Sequence, residues 1–309
     1  MAVSNKYNTL SPKVIIQWIN QKKDFYLIDV LPSDHFQKIR LPDSENACVF
    51  EVTFMEQLKA ITQNKDAEIV LYGSSSKSMD AVQAAAKLAH DGYRNLSIIE
   101  GGIEAWRGLG LALEGAAVDE TDDPQTQIKL EDRTYTIEPE ESVIVWTGRN
   151  PNTTHFGNIR ISSGELQVQD SCITGIFNID MHSITNTNLE GNELQPVLIA
   201  HLKSDDFFHV EQFPSSTFQI YSGWPVEEPY ITSPNFEIQG AFELRSVEAE
   251  QSFMATVART ADDGLSFEAH FDLDRTRWNI IYGSTRFFEY LGMHVVFDLI
   301  SIQMRIIAR

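Results

Sequence analysis

The apolar positions change their period once along the chain, near Tyr135. Before it, short continuous apolar runs alternate with helical stripes. Val14, Ile15, Trp18 and Ile19 share one helical face behind Ser11 and Pro12, a helix-capping residue and a first-turn proline. Residues 25–30 (FYLIDV) and 68–72 (EIVLY) read as strands buried on both faces. Residues 47–52 and 96–99 supply two further strands. Thr53 with Glu56 three residues on has the form of a capping box that opens a helix through Ile61. Another helix is predicted from about residue 76 to 90, stopped by Gly92. Glu100-Gly101-Gly102 then turns into a short helix containing Trp106. Alternating strands and helices predict an α/β domain with a mostly parallel sheet.

Beyond Tyr135 the period is two. Ile173, Gly175, Phe177, Ile179 and Met181 alternate with polar or smaller positions, as do Phe236, Ile238, Gly240, Phe242 and Leu244. Phe267, Ala269, Phe271 and Leu273 repeat the pattern, and so do Ile300, Ile302, Met304 and Ile306 near the end. Asp298 interrupts that last inner face, which places it toward an open end. Strands with one polar face predict an all-β antiparallel barrel or sandwich. Only residues 198–208 have helical character in this half. Of the 18 phenylalanines, 14 lie in residues 116–309. A closed barrel of about eight strands is filled by side chains or holds one ligand, and phenylalanine fits either case.

Residues 116–132, acidic and aperiodic with one proline, read as a linker between domains at 1–115 and 133–309. Charge sharpens the division. Residues 1–115 carry 12 basic and 14 acidic side chains; the remainder carries 12 and 30, almost all of the net −20. Such a surface repels phosphate backbones, so nucleic acid is not an expected partner. Two cysteines, Cys48 and Cys172, make no disulfide framework or metal cluster and read as small buried apolar residues. Residues 1–10 lack a leader's apolar core, and no apolar run has the length of a membrane span. The expectation is a cytoplasmic protein that is not integral to a membrane.

The first half resembles the rhodanese family over about residues 8–115. Leu27–Val30 (LIDV) followed by Asp34-His35-Phe36, and the run from Glu100-Gly101-Gly102 to Trp106, carry the likeness. In active relatives a cysteine follows the VLY strand and forms a persulfide, stabilised by backbone N–H groups. Here Gly73 stands at that position, in the loop Gly73-Ser74-Ser75-Ser76-Lys77-Ser78. Glycine cannot carry sulfane sulfur, so the resemblance implies a surviving fold with no catalytic residue. The loop's N–H groups, hydroxyls and Lys77 can still hold a small anion; the plain alternative is a polar helix-capping loop. His35 and Arg40, near the family's ligand-side loop, read as structural or surface residues.

Residues 133–309 resemble the YceI-like family, a lipocalin-like barrel. The likeness rests on Tyr135-Thr136-Ile137, Val145-Trp146-Thr147-Gly148, His155-Phe156-Gly157, Gly164-Glu165-Leu166, the run from His201 to Phe208, the run from Phe213 to Phe218, and Tyr282-Gly283-Ser284. It implies a polyisoprenoid chain, such as a polyprenyl or quinone lipid, bound inside the barrel. Apolar burial yields about 0.8 kcal/mol per CH₂, so three isoprene units supply roughly 12 kcal/mol before association costs. The inward residues Phe177, Ile179, Phe242, Phe267, Ala269, Phe271 and Ile302 are the expected tunnel wall.

Catalytic and metal signatures are weak. The eight histidines are scattered, His201 and His209 lack helical metal-pair spacing, and no phosphate-loop or dinucleotide pattern occurs. No cofactor or metal is expected. The sequence therefore favours a non-enzymatic carrier or sensor of an isoprenoid, with the first domain as an interaction or anion-sensing module. Two alternatives stand beside it: a sulfurtransferase-like enzyme using another thiol such as Cys48, and an assembly protein whose barrel is simply packed. A protein partner through the first domain is compatible with the first and last readings. Oligomeric state is not encoded in these patterns.

Overall fold

The computed structural model describes residues 7–120 and 126–309. The chain divides into two compact units, Met1–Asp123 and Pro124–Arg309.

The first unit runs β1 (Asn8–Leu10), α1 (Pro12–Asn20), β2 (Tyr26–Asp29), α2 (Ser33–Lys38), β3 (Glu45–Asn46), α3 (Phe54–Ile61), β4 (Glu68–Tyr72), α4 (Asp80–His90), β5 (Asn95–Ile99) and α5 (Gly102–Gly108). Its five strands pair in the order β1-β5-β4-β2-β3, all parallel. Burial on both sheet faces explains the unbroken apolar strands. Ile28, Ile69, Leu71 and Leu96 pack on one side, and Leu27, Val70, Tyr72 and Ile99 on the other.

Three local expectations change. The strand predicted over 47–52 is the two-residue β3; Ala47, Cys48 and Val49 are buried as coil, with Ala47 and Val49 donating to the Asp29 and Val30 carbonyls. Thr53 does stand ahead of α3, yet its hydroxyl donates to Glu51 Oε2 at 3.1 Å, so no capping box forms. The helix predicted from residue 76 begins at Asp80, because residues 73–79 are engaged in the loop described below.

The second unit runs β6 (Thr134–Thr136), β7 (Val143–Arg149), β8 (Thr154–Gln169), β9 (Cys172–Asp180), α6 (Leu194–Lys203), β10 (Ser215–Pro225), β11 (Phe236–Leu244), β12 (Val247–Arg259), β13 (Leu265–Asp274) and β14 (Leu299–Ala308). Strands β7–β14 form a closed antiparallel barrel. The 16-residue β8 closes it, pairing with β7 through its first half and with β9 through its second. Short β6 lies beside the second half of β8.

Inward positions are apolar, while Glu237, Gln239 and Glu243 of β11 point outward; Glu237 and Gln239 alternate with buried Phe236 and Ile238. That arrangement is the reverse of a lipid-facing barrel. Among the described residues no helix is long and apolar enough to cross a membrane. Cys48 is buried, whereas Cys172, expected to be buried, is only half-buried because it opens β9 at the barrel edge. Within the expected linker, residues 121–125 lie outside the described residues. Ala116 and Ala117 donate to the Gln37 and Lys38 carbonyls, and Ile128 and Leu130 pack against the barrel core.

Candidate functional site

The barrel bore is divided. Its lower part, at the end where β8 meets β9, is solid: Ile173, Ile238, Val257 and Ile306 are fully buried. Its upper part holds a cavity of about 340 Å³, near the lower end of the size range of small-molecule pockets, ~300–1,000 Å³.

A layer of aromatic rings separates the two parts. Phe177, Phe218, Phe242 and Phe271 face the cavity. Phe218 touches Phe177, Phe242 and Phe253, with ring centroids 5.5, 6.4 and 5.6 Å apart. Phe253 stacks on Phe271 at 4.2 Å with an interplanar angle of 6° and reaches down to Phe267 at 6.4 Å. Each ring sits on an inward position of a successive strand from β9 to β13, which follows from period-two alternation.

The cavity walls above this floor come from Ile144, Trp146 and Gly148 of β7 and from Ile300, Ile302 and Met304 of β14. The Trp146 indole N–H donates to the Thr185 carbonyl at 3.1 Å, so the ring presents only apolar surface to the bore. Gly148 leaves free volume. A Cβ there would meet nothing nearer than Ile300 Cδ1 at 3.7 Å.

Two elements cover the open end. The first is α6, which contributes Leu198, His201 and Leu202. The second is the irregular segment 279–298, which contributes Ile280, Tyr282 and the turn around Met293. They meet at His201, whose ring stands edge-on to Phe207 at 4.9 Å and to Tyr282 at 4.8 Å while Nε2 lies 3.0 Å from Asp206 Oδ2. Gly283 has φ +68°, and a side chain there would collide with the His294 carbonyl. Glycine thus permits the close approach that folds this segment back.

Arg275 anchors the second cover. It is 2 % exposed and donates through Nε to the Phe297 carbonyl, through Nη1 to that of Ile280 and through Nη2 to that of Val296. Burial lowers its pKa, opposed by the charges of Asp298 and Asp274. Arg286 bridges the same two carboxylates, at 2.7 Å to Asp274 and 3.1 Å to Asp298. Asp298 therefore marks the covered end of the barrel, as its break in the β14 pattern implied.

Of the expected wall residues, Phe177, Ile179, Phe242, Phe271 and Ile302 line the cavity. Phe267 and Ala269 do not. Both are 1 % exposed in the packed core, paired with Ile306 and Met304 across β14. They face inward as expected, but their side chains are packed in the core and do not border the cavity. Leu198 and Met293 line the cavity with no sequence signal pointing to it, and Gly148 does so from within the Val145–Gly148 motif. Trp146, His201 and Tyr282 belong to separate family motifs, and they converge on this one cavity.

In the first unit, Gly73, Ser74, Ser75, Ser76, Lys77 and Ser78 form the loop between β4 and α4. Several of its donors are engaged within the loop itself and by Asp80. Asp80 Oδ2 accepts from Ser74 N at 2.9 Å, from Ser74 Oγ at 2.8 Å and from Ser78 Oγ at 2.8 Å, and Oδ1 accepts from Ala81 N at 2.7 Å. Ser75 Oγ accepts from Lys77 N, and Ser76 and Lys77 are exposed. The Asp80 carboxylate thus occupies the Ser74 and Ser78 donors. A Cβ on Gly73 would fall within that carboxylate. His35 and Arg40 are half-buried near the neighbouring loop, Arg40 bridging Glu114 at 3.3 Å. Among the described residues, no group of three or more metal-binding side chains gathers.

Residues 135–308 match the model of the YceI-like domain, more than half of the chain, and the protein belongs to that family. Residues 11–109 match the model of the Rhodanese-like domain. No curated protein matches the chain. Among solved structures, BcnA of Burkholderia cenocepacia is similar over 56 % of this chain and 99 % of its own, at 14 % identity and a TM-score of 0.44. A polyisoprenoid binding domain from Saccharophagus degradans, implicated in plant cell wall breakdown, is similar over 57 % of this chain and 97 % of its own, at 11 % identity and a TM-score of 0.40. The rhodanese-like domain of a protein from Anabaena sp. covers 40 % of this chain and 93 % of its own, at 20 % identity and a TM-score of 0.33.

Proposed function

We propose that the barrel carries or senses an isoprenoid lipid in its upper cavity, and that the rhodanese-like unit transfers no sulfur. The observation that carries the first part is an apolar chamber sealed below by phenylalanine rings and walled by Ile144, Trp146, Ile300, Ile302 and Met304. Such a chamber offers a ligand apolar area and little else, so binding is driven by transfer of that area from water. Membership of a family known for polyisoprenoid binding supports the same reading.

The second part rests on the loop after β4. Gly73 offers no nucleophile, and Asp80 fills the space a side chain there would need. Cys48, the one cysteine in this unit, is 2 % exposed, which favours an inert core residue over a reactive one. With chemistry set aside, contact with another protein is the natural role of this unit. The large side chains of Phe50, Val52 and Met79, all in solvent, favour that role.

Extraction of the purified protein with organic solvent, followed by mass spectrometry, tests the carrier reading. A prenyl compound in stoichiometric amount is expected. A thiosulfate-to-cyanide assay tests the second part, with no turnover expected.

A further inference from the structure

We propose that the aromatic layer is a ruler: the chamber admits two to three isoprene units and no more, and the remainder of a longer chain lies outside. This rests on the carrier reading and adds the length of chain the site reads.

The open part of the bore runs along β7 from Ile144 to about Asn150. Six residues at about 3.3 Å each, tilted by about 40°, give a depth of about 15 Å. The four backbone bonds of an isoprene unit, each about 1.5 Å long, project to about 5 Å. Depth therefore sets a limit of about three units.

The floor that imposes this limit is specific to a few side chains. Phe253 and Phe271 stack at 4.2 Å across β12 and β13, and Phe218 closes the gap toward β9 and β10. Below them Phe267 and Ile306 are packed, at most 1 % exposed. Above, the exit offers apolar side chains beside the polar Arg149, Asn150 and His155. Met293 lines the cavity yet is 79 % exposed, and Leu194 and Val197 lie on α6 beside cavity-lining Leu198. A fourth unit would leave the chamber there and gain only partial burial.

The test is a length series at constant headgroup on the full-length protein: prenyl alcohols of two, three, four and nine units, titrated by calorimetry. Affinity should rise at least about tenfold from two to three units and change less than about threefold from three to four and from four to nine. Phe253→Ala, checked for folding by circular dichroism, should move the plateau one unit longer. If that variant does not fold, the wild-type series decides alone. A steady rise through four and nine units overturns the ruler and leaves the carrier reading standing, as does an unmoved plateau in folded Phe253→Ala. Failure of every chain length to bind overturns the carrier reading, and the ruler with it.

Discussion

Gly73 and Asp80 occupy each other's space: the Asp80 carboxylate lies where a side chain on residue 73 would project, and it takes the Ser74 and Ser78 donors for itself. Restoring a cysteine at this position is therefore not a conservative repair. Gly73→Cys alone should show no thiosulfate turnover and should lower the stability of the first unit by about 1–3 kcal/mol through overpacking. Gly73→Cys combined with Asp80→Ala should recover the lost stability in part and give a thiol that alkylates readily. A stable, active Gly73→Cys single variant would show that Asp80 does not hold the site.

Asp29 is fully buried on β2, beneath the same loop. Burial raises its pKa from 3.8 to about 6, opposed by the hydrogen bond from Leu31 N and by the nearby Tyr72 hydroxyl and reinforced by the charge of Asp80. The sign follows from linkage. The folded state holds the proton more tightly, so the full contribution of this group is present below about pH 4 and is lost as pH rises to about 6. Asp29→Asn should then be near neutral at pH 4 and should stabilise the first unit above pH 6, by at most about 3 kcal/mol. Thermal melts of both proteins from pH 4 to 8 check this; parallel curves would contradict it.

Arg275 donates from a buried position to three carbonyls of the 279–298 segment, those of Ile280, Val296 and Phe297. Arg275→Leu leaves those three buried carbonyls without their donor, while Asp298 keeps Arg286, at a cost of about 3–5 kcal/mol. Arg286→Ala, at an exposed site, should cost less than about 1 kcal/mol. Limited proteolysis should cut Arg275→Leu within residues 279–298 well before the Arg286 variant. Equal protection in the two would mean that the segment is held by something other than Arg275.

The chamber can be filled without disturbing the fold. Gly148 has ordinary backbone angles and open space inward, so Gly148→Phe should keep the melting temperature within a few degrees and abolish most lipid uptake. Ala269→Trp is a poor blocking variant, because Ala269 is 1 % exposed in the packed core and the larger ring should destabilise the barrel instead of blocking it. Uptake unchanged in folded Gly148→Phe would place the ligand elsewhere.

The strand periods carried most of the architecture. The run Glu68–Tyr72 reads as a buried strand because both of its faces meet helices, and it is one. The apolar run at 47–49 is equally buried but lacks pairing beyond β3, a distinction set by neighbours far away in sequence. The late start of α4 depends on Asp80 reaching back six residues to Ser74, which no local pattern announces. The wall was legible only as a face. Phe267 and Phe271 share it, four residues apart on one strand, yet the first is packed and the second borders the cavity. What separates them is where the aromatic floor falls and what covers the open end, and the covering segment 279–298 has no periodicity to read.

The central claim is that the upper chamber binds an isoprenoid chain. Native mass spectrometry of the full-length protein, incubated with a three-unit prenyl alcohol beside Gly148→Phe as control, tests it most directly. One ligand per wild-type chain and almost none on the folded variant is the predicted result. Wild-type protein that stays unliganded at every concentration, while remaining folded, would contradict the claim and leave a barrel whose cavity serves packing alone.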